Sequence, residues 1–243
     1  MGRTTSDYPL KDFYRDIVSS YDRVNRIFTF GRDRSWRRKA AAACLHSNPV
    51  RVLDVCTGTG DFILELARLV GEGVSLTGYD FSSAMLKEAR RKHGELSAKV
   101  RLPPVDFVEG DVGLMPFGNN EFDALGITFG IRNLVYENSN ASRHLSELHR
   151  VIRPGGALVI LESSKPTNII WRFFNGIYLQ FILPYLGGMI SGNMKAYRYL
   201  AESSKNYYSI GEMSTILEEA GFMIKKGEPL FLGSVMLVVA KKK

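Results

Sequence analysis

Hydrophobic and polar positions change their period several times along this chain, and the changes delimit its elements. Over residues 10–47 the spacing is helical: Phe13, Tyr14, Ile17, Val18 and Tyr21 form one stripe, and Arg34–Leu45 reads as a basic, alanine-rich helix. Gly31 is expected to break the two. Short apolar runs then alternate with amphipathic stretches. Strands are expected at Arg51–Val55, Ser75–Tyr79, Val105–Val108, Glu121–Thr128 and Ala157–Leu161. Helices are expected at Asp61–Val70, from the Ser82 N-cap to Lys92, and at Ser142–Ile152, where Pro154-Gly155-Gly156 stops the last one. Beyond an amphipathic helix at Ile210–Ala220, Met223–Lys226 and Leu230–Ala240 read as two strands with a short connection.

This alternation argues for an α/β fold. It predicts a mostly parallel seven-stranded sheet with helices on both faces, finished by a C-terminal antiparallel hairpin. The organisation expected is a single domain over 1–243, with a helical N-terminal cap at 1–47 and a helical insert at 166–205. The insert breaks the pattern: from Pro166 to Gly192 it is apolar and aromatic, yet Arg172, Asn175, Gln180, Pro184 and Gly187-Gly188 argue against a membrane-spanning helix. Two readings stay open for it. One is an ordinary core helix or a homodimer helix. The other is a lid over the carboxyl ends of the sheet that builds a greasy substrate channel.

Composition narrows the class. The chain has 243 residues and 45% apolar content, enough for one core. Met1–Asp12 is polar and lacks the apolar stretch of a secretory leader. Two cysteines make no disulfide framework, and neither they nor the four histidines show metal-ligand spacing, so a cytoplasmic protein without a metal is expected. The net charge of +7 is spread over small clusters with no aromatic–basic motif, which speaks against nucleic acid as a partner. A solvated basic surface and peripheral contact with an anionic membrane at its inner face both remain open.

The chemistry concentrates in Val52–Asp61. This segment reads as a buried strand, a glycine turn (Gly58-Thr59-Gly60) and a helix start, and Asp80 closes the next strand with Phe81 beside it. Together they describe a site for an adenosine-bearing cofactor. A dinucleotide fingerprint needs a third glycine where Ile63 stands, and Asp61 at the helix start would repel a pyrophosphate. Asp54 is expected to add a second negative charge. A cofactor with a cationic amino-acid end fits better, and S-adenosylmethionine is the candidate. A tight turn without a ligand is the alternative. Gly110-Asp111, Thr128–Asn133 and Leu161–Pro166 each follow an expected strand. Asp111 suits either an adenine amino group or a loop cap.

These segments carry a resemblance. Tyr21-Asp22-Arg23-Val24-Asn25, Phe30-Gly31, Trp36-Arg37-Arg38, Val52–Asp61, Phe129-Gly130-Ile131-Arg132-Asn133, Arg150–Gly156, Glu162–Pro166 and Tyr197-Arg198-Tyr199-Leu200 stand in one order. In this the chain resembles the C-methyltransferases of menaquinone and ubiquinone biosynthesis over nearly its whole length. The resemblance implies a Rossmann-like class I methyltransferase fold and S-adenosylmethionine as cofactor. Thr59, Asp80, Asp111, Val112 and Thr128 would contact it, with Asp80 on the ribose hydroxyls; Asp54, Thr57, Gly58, Gly60 and Phe81 complete the expected set. The acceptor implied is an isoprenoid quinone-type molecule, a prenylated hydroquinone methylated at carbon. Arg132 would stabilise the phenolate or orient a water, and Asn133 would hold Arg132 or the ring oxygen. Tyr21 and Asp22 would close the site, with Asp22 as an alternative base. Arg132 and Asn133 also suit a structural loop salt bridge and cap. Asn206-Tyr207-Tyr208, the doubled serine before Lys165 and the segment from Gly94 to Pro104 depart from the family pattern. Another apolar acceptor, or a non-catalytic cofactor-binding partner in a quinone-synthesis assembly, are the competing functions.

Overall fold

The computed structural model describes residues 10–192, 194, 198, 201 and 207–243. The side chains of Phe13, Tyr14 and Ile17, and the motif residues Tyr197, Tyr199 and Leu200, lie outside the described residues.

Two helices, α1 (Leu10–Phe28) and α2 (Asp33–Leu45), precede the sheet. Phe30 at φ 51° and Gly31 at φ 70° break them apart, as the position of Gly31 led one to expect. The sheet then builds through β1 (Arg51–Val55), β2 (Ser75–Asp80), β3 (Val105–Glu109), β4 (Phe122–Thr128), β5 (Ile152–Ser163), β6 (Phe222–Leu230) and β7 (Val235–Lys242). Its order is β3-β2-β1-β4-β5-β7-β6. The first five strands pair in parallel, and β7 runs antiparallel between β5 and the edge strand β6. Four of the five residues of β1 are buried, because helices cover both faces of a parallel sheet.

The crossovers are α3 (Asp61–Leu69), α4 (Ser83–Ser97), a short α5 (Ile131–Val135) followed by α6 (Ala141–Val151), and α9 (Ile210–Glu219); α7 (Ile169–Ile177) and α8 (Leu183–Ser191) form the insert. Trp36, Ala40, Ala41 and Cys44 of α2 join Phe62, Ile63 and Leu66 of α3 in one core layer. Leu145, Leu148 and Val151 of α6 join Met213 and Leu217 of α9 in the other. The chain reverses from the β1–β2–β3 side to the β4–β5 side between β1 and β4, so a crevice opens at their carboxyl ends.

The hairpin differs from expectation. Gly227 and Pro229 look like a turn, yet both sit inside β6, opposite Val238 and Met236. An edge strand tolerates a proline and a register shift between Ile224 and Lys226, so the turn moves on to Phe231–Gly233. Likewise β5 starts at Ile152, ahead of Pro154-Gly155-Gly156, with a bulge against β4.

In the insert, one π-helical turn (Tyr178–Ile182) joins α7 to α8. Val24 of α1 packs with Leu179, Leu183 and Ala201, Tyr178 donates its hydroxyl to the Phe28 carbonyl at 2.9 Å, and Trp171 Nε1 donates to Ser234 Oγ at 2.8 Å. These contacts anchor the insert to the N-terminal cap and to the start of β7. They leave Ile169, Ile170, Phe173, Phe174, Phe181 and Met189 more than half exposed.

Candidate active site

A cavity of about 350 Å³ lies at the carboxyl ends of β1, β2 and β4. Its floor is the loop after β1. Cys56, Gly58 and Gly60 there take φ of 57°, 55° and 86°, a left-handed path that glycine adopts without strain. The two glycines have different work. Gly58 lines the cavity. A Cβ on Gly60 would stand 2.9 Å from the Ala89 Cβ, so this glycine lets α4 approach the loop and does not face the cavity.

Asp80 ends β2 and is almost wholly buried. Its Oδ2 accepts from the Gly58 N–H and its Oδ1 from the Ser82 N–H, both at 2.9 Å. Burial pushes its pKa up, against the pull of these amides. Asp54 lies underneath and lines no part of the cavity. Thr57 Oγ1 donates to its Oδ2 at 2.5 Å, and burial pushes its pKa up to about 8. Burial thus works against the second negative charge read from the sequence, because a carboxyl this deep is cheaper to hold neutral than ionised.

Asp61 does carry a charge. Burial alone would raise its pKa, but Arg37 and Lys92 outweigh burial and lower it. Lys92 bonds both Asp61 and Asp22. Asp22 Oδ1 also accepts from Thr59 Oγ1 at 2.6 Å. Its carboxylate is thus committed to joining α1 to the glycine loop, lies outside the cavity lining, and is not placed to act as a base. Its neighbour Tyr21 does line the cavity, and burial raises the pKa of its phenol.

Arg37 of α2 forms a wall beside Tyr21. It is 5% exposed, donates through Nη1 to Asp33 Oδ2 at 2.7 Å, and lies over the Phe129 ring at 5.2 Å. Its Nε is buried without a hydrogen-bond partner.

Phe81, Asp111 and Val112 stand at the β2–β3 end of the cavity, whereas Thr128 ends β4 on the other side of β1, next to Phe129. Asp111 Oδ1 accepts from the Gly113 N–H at 2.8 Å, capping the turn Val112–Leu114, while the side chain stays 80% exposed. It therefore caps a loop and still has an oxygen for a ligand. His144 reaches the same end from α6: Nδ1 lies 2.8 Å from the Leu134 carbonyl and Nε2 3.9 Å from Asp111 Oδ1. A carbonyl only accepts, so Nδ1 carries the proton and Nε2 faces the cavity.

After β4, Phe129 at φ 56° and Gly130 turn the chain into α5. A Cβ on Gly130 would lie 2.5 Å from the Cys56 Cβ. The turn separates two neighbours. Asn133 lines the cavity; Arg132 is buried behind it. Arg132 Nη1 stands 4.0 Å from Glu162 Oε1 and 3.4 Å from Ser163 Oγ, and Glu162 is fully buried at the end of β5. So the structure brings Tyr21, Thr57, Gly58, Thr59, Asp80, Phe81, Asp111, Val112, Thr128 and Asn133 together around one cavity, and sets Asp22, Asp54, Gly60 and Arg132 behind its walls. Among the described residues, no side chain of α7 or α8 lines it. Sequence reasoning did not single out Arg37, His144 or Glu162 for a role. The signals that could have found them are a cation on the cap helix facing the glycine loop, and a carboxylate at a strand end.

The fold and the crevice define a class I methyltransferase. A SAM-dependent methyltransferase from Aquifex aeolicus superposes with a TM-score of 0.56 at 23% identity, covering 79% of this chain and 81% of that one. One from Thermotoga maritima superposes with a TM-score of 0.62 at 17% identity, over 96% and 99% of the two chains. More specifically, the ubiE/COQ5 methyltransferase family matches residues 3–242, and the chain belongs to it. A demethylmenaquinone methyltransferase of Thermus thermophilus is 40% identical over 87% of this chain and 92% of its own length. A ubiquinone/menaquinone biosynthesis C-methyltransferase of Geotalea daltonii is 34% identical over 96% of each. The protein is an S-adenosylmethionine-dependent methyltransferase.

The cavity fits that cofactor. Its size suits a nucleoside with a short side chain. Asp80, held by two backbone amides, offers remaining lone pairs for vicinal hydroxyls, and Asp111 offers an acceptor for an amino group.

Proposed function

We propose that the protein methylates a ring carbon of a prenylated hydroquinone of the demethylmenaquinol type. Two of its relatives bear names for such reactions. The observation that carries the reading is the Arg132–Glu162 pair directly behind Asn133 in the cavity wall. Bound S-adenosylmethionine supplies an electrophilic methyl group. This chain's residues have to make the acceptor carbon a better nucleophile and keep water out. A fixed positive charge behind the wall stabilises a phenolate as it forms, and a guanidinium does so without giving up its own proton. Glu162 and Ser163 hold that guanidinium in place. Asn133 presents an amide to the ring oxygen. Tyr21 and Phe129 flank the same space and give it an aromatic lining. Asp80, Asp111, Val112, Thr128 and the loop Thr57–Thr59 hold the cofactor.

The exposed apolar row of the insert has a place in this reading. A prenylated acceptor resides in a bilayer. Ile169–Ile190 forms a helical stretch long and apolar enough to cross a membrane by length and composition, and Arg172 sits within it. Half-exposed phenylalanines on a chain with net charge +7 suit peripheral docking at an anionic cytoplasmic face.

The test is transfer of labelled methyl from S-adenosylmethionine to reduced demethylmenaquinone, beside its oxidised form and a tail-less phenolic acceptor. Label on the reduced quinone alone supports the assignment. Equal label on the tail-less phenol shifts the acceptor to a soluble small molecule.

A further inference from the structure

Arg37 is bonded on one side only. Its hydrogen bond goes from Nη1 to Asp33 Oδ2 at 2.7 Å, and the same nitrogen is 3.9 Å from Asp61 Oδ2. Nε has no partner, and among the described residues no bond involves Nη2. In a planar guanidinium, Nε and Nη2 form the edge turned away from Nη1, and that edge matches the two oxygens of a carboxylate. A buried guanidinium donor left unpaired is costly, more so than a neutral one, and native proteins rarely leave one.

Surrounding residues show which way this edge looks. Asp33, on the Nη1 side, lines a separate crevice among α1–α4 and not the cofactor cavity, whereas Phe129, under the guanidinium, lines the cofactor cavity and not that crevice. Arg37 belongs to both linings and separates them. The Phe129 ring under the guanidinium carbon and the Asp33 carboxylate on Nη1 both restrain this side chain before any ligand arrives. Across the cavity, Asp80 and Asp111 mark the nucleoside end, which leaves the Arg37 end for the amino-acid part.

We propose that the Nε/Nη2 edge of Arg37 binds the carboxylate of the methionyl end of S-adenosylmethionine in a bidentate pair. The inference rests on this chain using that cofactor, and assigns a residue of the N-terminal cap to recognition of the cofactor's amino-acid end. The cap thereby senses whether a complete cofactor is present, since an adenosine fragment cannot reach this edge.

The test is calorimetric binding of S-adenosylmethionine and of its decarboxylated form to the wild type and to two variants, Arg37→Lys and Arg37→Met, each first checked for a cooperative melting transition. Wild type is expected to bind the decarboxylated form roughly 10- to 100-fold more weakly, the loss of a charged bidentate contact. Arg37→Met is expected to lose about the same factor for S-adenosylmethionine and less than about threefold for the decarboxylated form. Arg37→Lys keeps the charge without the two-pronged edge, so it is expected to recover only part of the loss. Equal affinity of the wild type for both ligands overturns the proposal, and so does an equal loss of both in the variants. Binding of neither ligand to the wild type would instead strike at the use of this cofactor. Should Arg37→Met not fold because Asp33 is left buried without its counter-ion, the wild-type ligand pair and Arg37→Lys still decide.

Discussion

Thr59 of the glycine loop donates its hydroxyl to Asp22 of the N-terminal helix at 2.6 Å, and Lys92 of α4 bonds the other Asp22 oxygen at 2.7 Å. One carboxylate thus ties together the cap, the cofactor loop and a crossover helix. The cap contributes Tyr21 and Arg37 to the cavity, so this tie joins the cavity's wall to the loop at its floor.

Thr59→Val removes the hydroxyl at nearly constant volume and breaks the tie at one point. The expected result is a roughly three- to tenfold weaker affinity for S-adenosylhomocysteine, the size of one charge-assisted hydrogen bond, expressed mainly as faster dissociation. Stopped-flow displacement of bound S-adenosylhomocysteine measures it. An unaltered dissociation rate would mean that the cap does not restrain the cofactor.

Arg132 acts on the acceptor through charge, behind the wall that Asn133 presents. Arg132→Ala is expected to lower kcat about a hundredfold or more while leaving cofactor affinity within about threefold. It also leaves Glu162 buried without its counter-ion, which destabilises by about 3–5 kcal/mol. The double variant Arg132→Met/Glu162→Gln removes both charges and is expected to stay folded and remain inactive. Restored turnover in the double variant would reduce the arginine to a structural partner of Glu162.

Asp54 makes stability depend on pH in an unusual direction. Its folded pKa of about 8 lies above the ordinary carboxylate value near 4, so between those pH values the unfolded chain has released a proton that the folded chain retains. Stability from this group is full below pH ~4 and falls as pH rises towards 8, by up to about 1.4 kcal/mol per pH unit. Asp54→Asn cannot ionise and is expected to melt with a flatter profile between pH 5 and 8, and higher than wild type at pH 8. Parallel profiles for the two proteins would place the ionisation elsewhere. Thermal denaturation across that range reads the difference.

The exposed row on α7 offers a separate test. Phe173→Ser/Phe174→Ser removes two large apolar groups that contact nothing in the core. It is expected to lower co-sedimentation with anionic phospholipid vesicles by roughly tenfold or more, from the burial value of a phenylalanine side chain. Turnover of a short-chain, soluble acceptor should be unaffected. Vesicle binding that ignores these residues would leave the insert without a lipid-facing role.

The glycine loop shows why much of the site was readable. Its backbone takes φ > 0 at Gly58 and Gly60, a conformation glycine adopts without strain, so two glycines at fixed spacing after a buried strand mark it. Asp80 was readable for a similar reason, since the end of β2 is a position set by topology. The hairpin shows the opposite. Gly227 and Pro229 carry local turn chemistry, but the ladder to Val238 and Met236 overrode it, a preference that exists only once β7 is in place. The insert was legible as apolar and helical. Its attachment to α1, through Val24, Leu179 and Leu183, was not, because that depends on which exposed faces meet.

Sequence by itself determined the strand–helix alternation, the cofactor loop and the family, because those follow from periodicity, glycine conformations and ordered motifs. Tertiary structure alone decided how charge is distributed around the site. Burial raises the pKa of Asp54, the cap ties up Asp22, Glu162 draws Arg132 behind the wall, and Asp33 turns the free edge of Arg37 away from itself. Each of these depends on distance and desolvation between residues far apart in the chain, and a linear sequence encodes neither until the chain is folded.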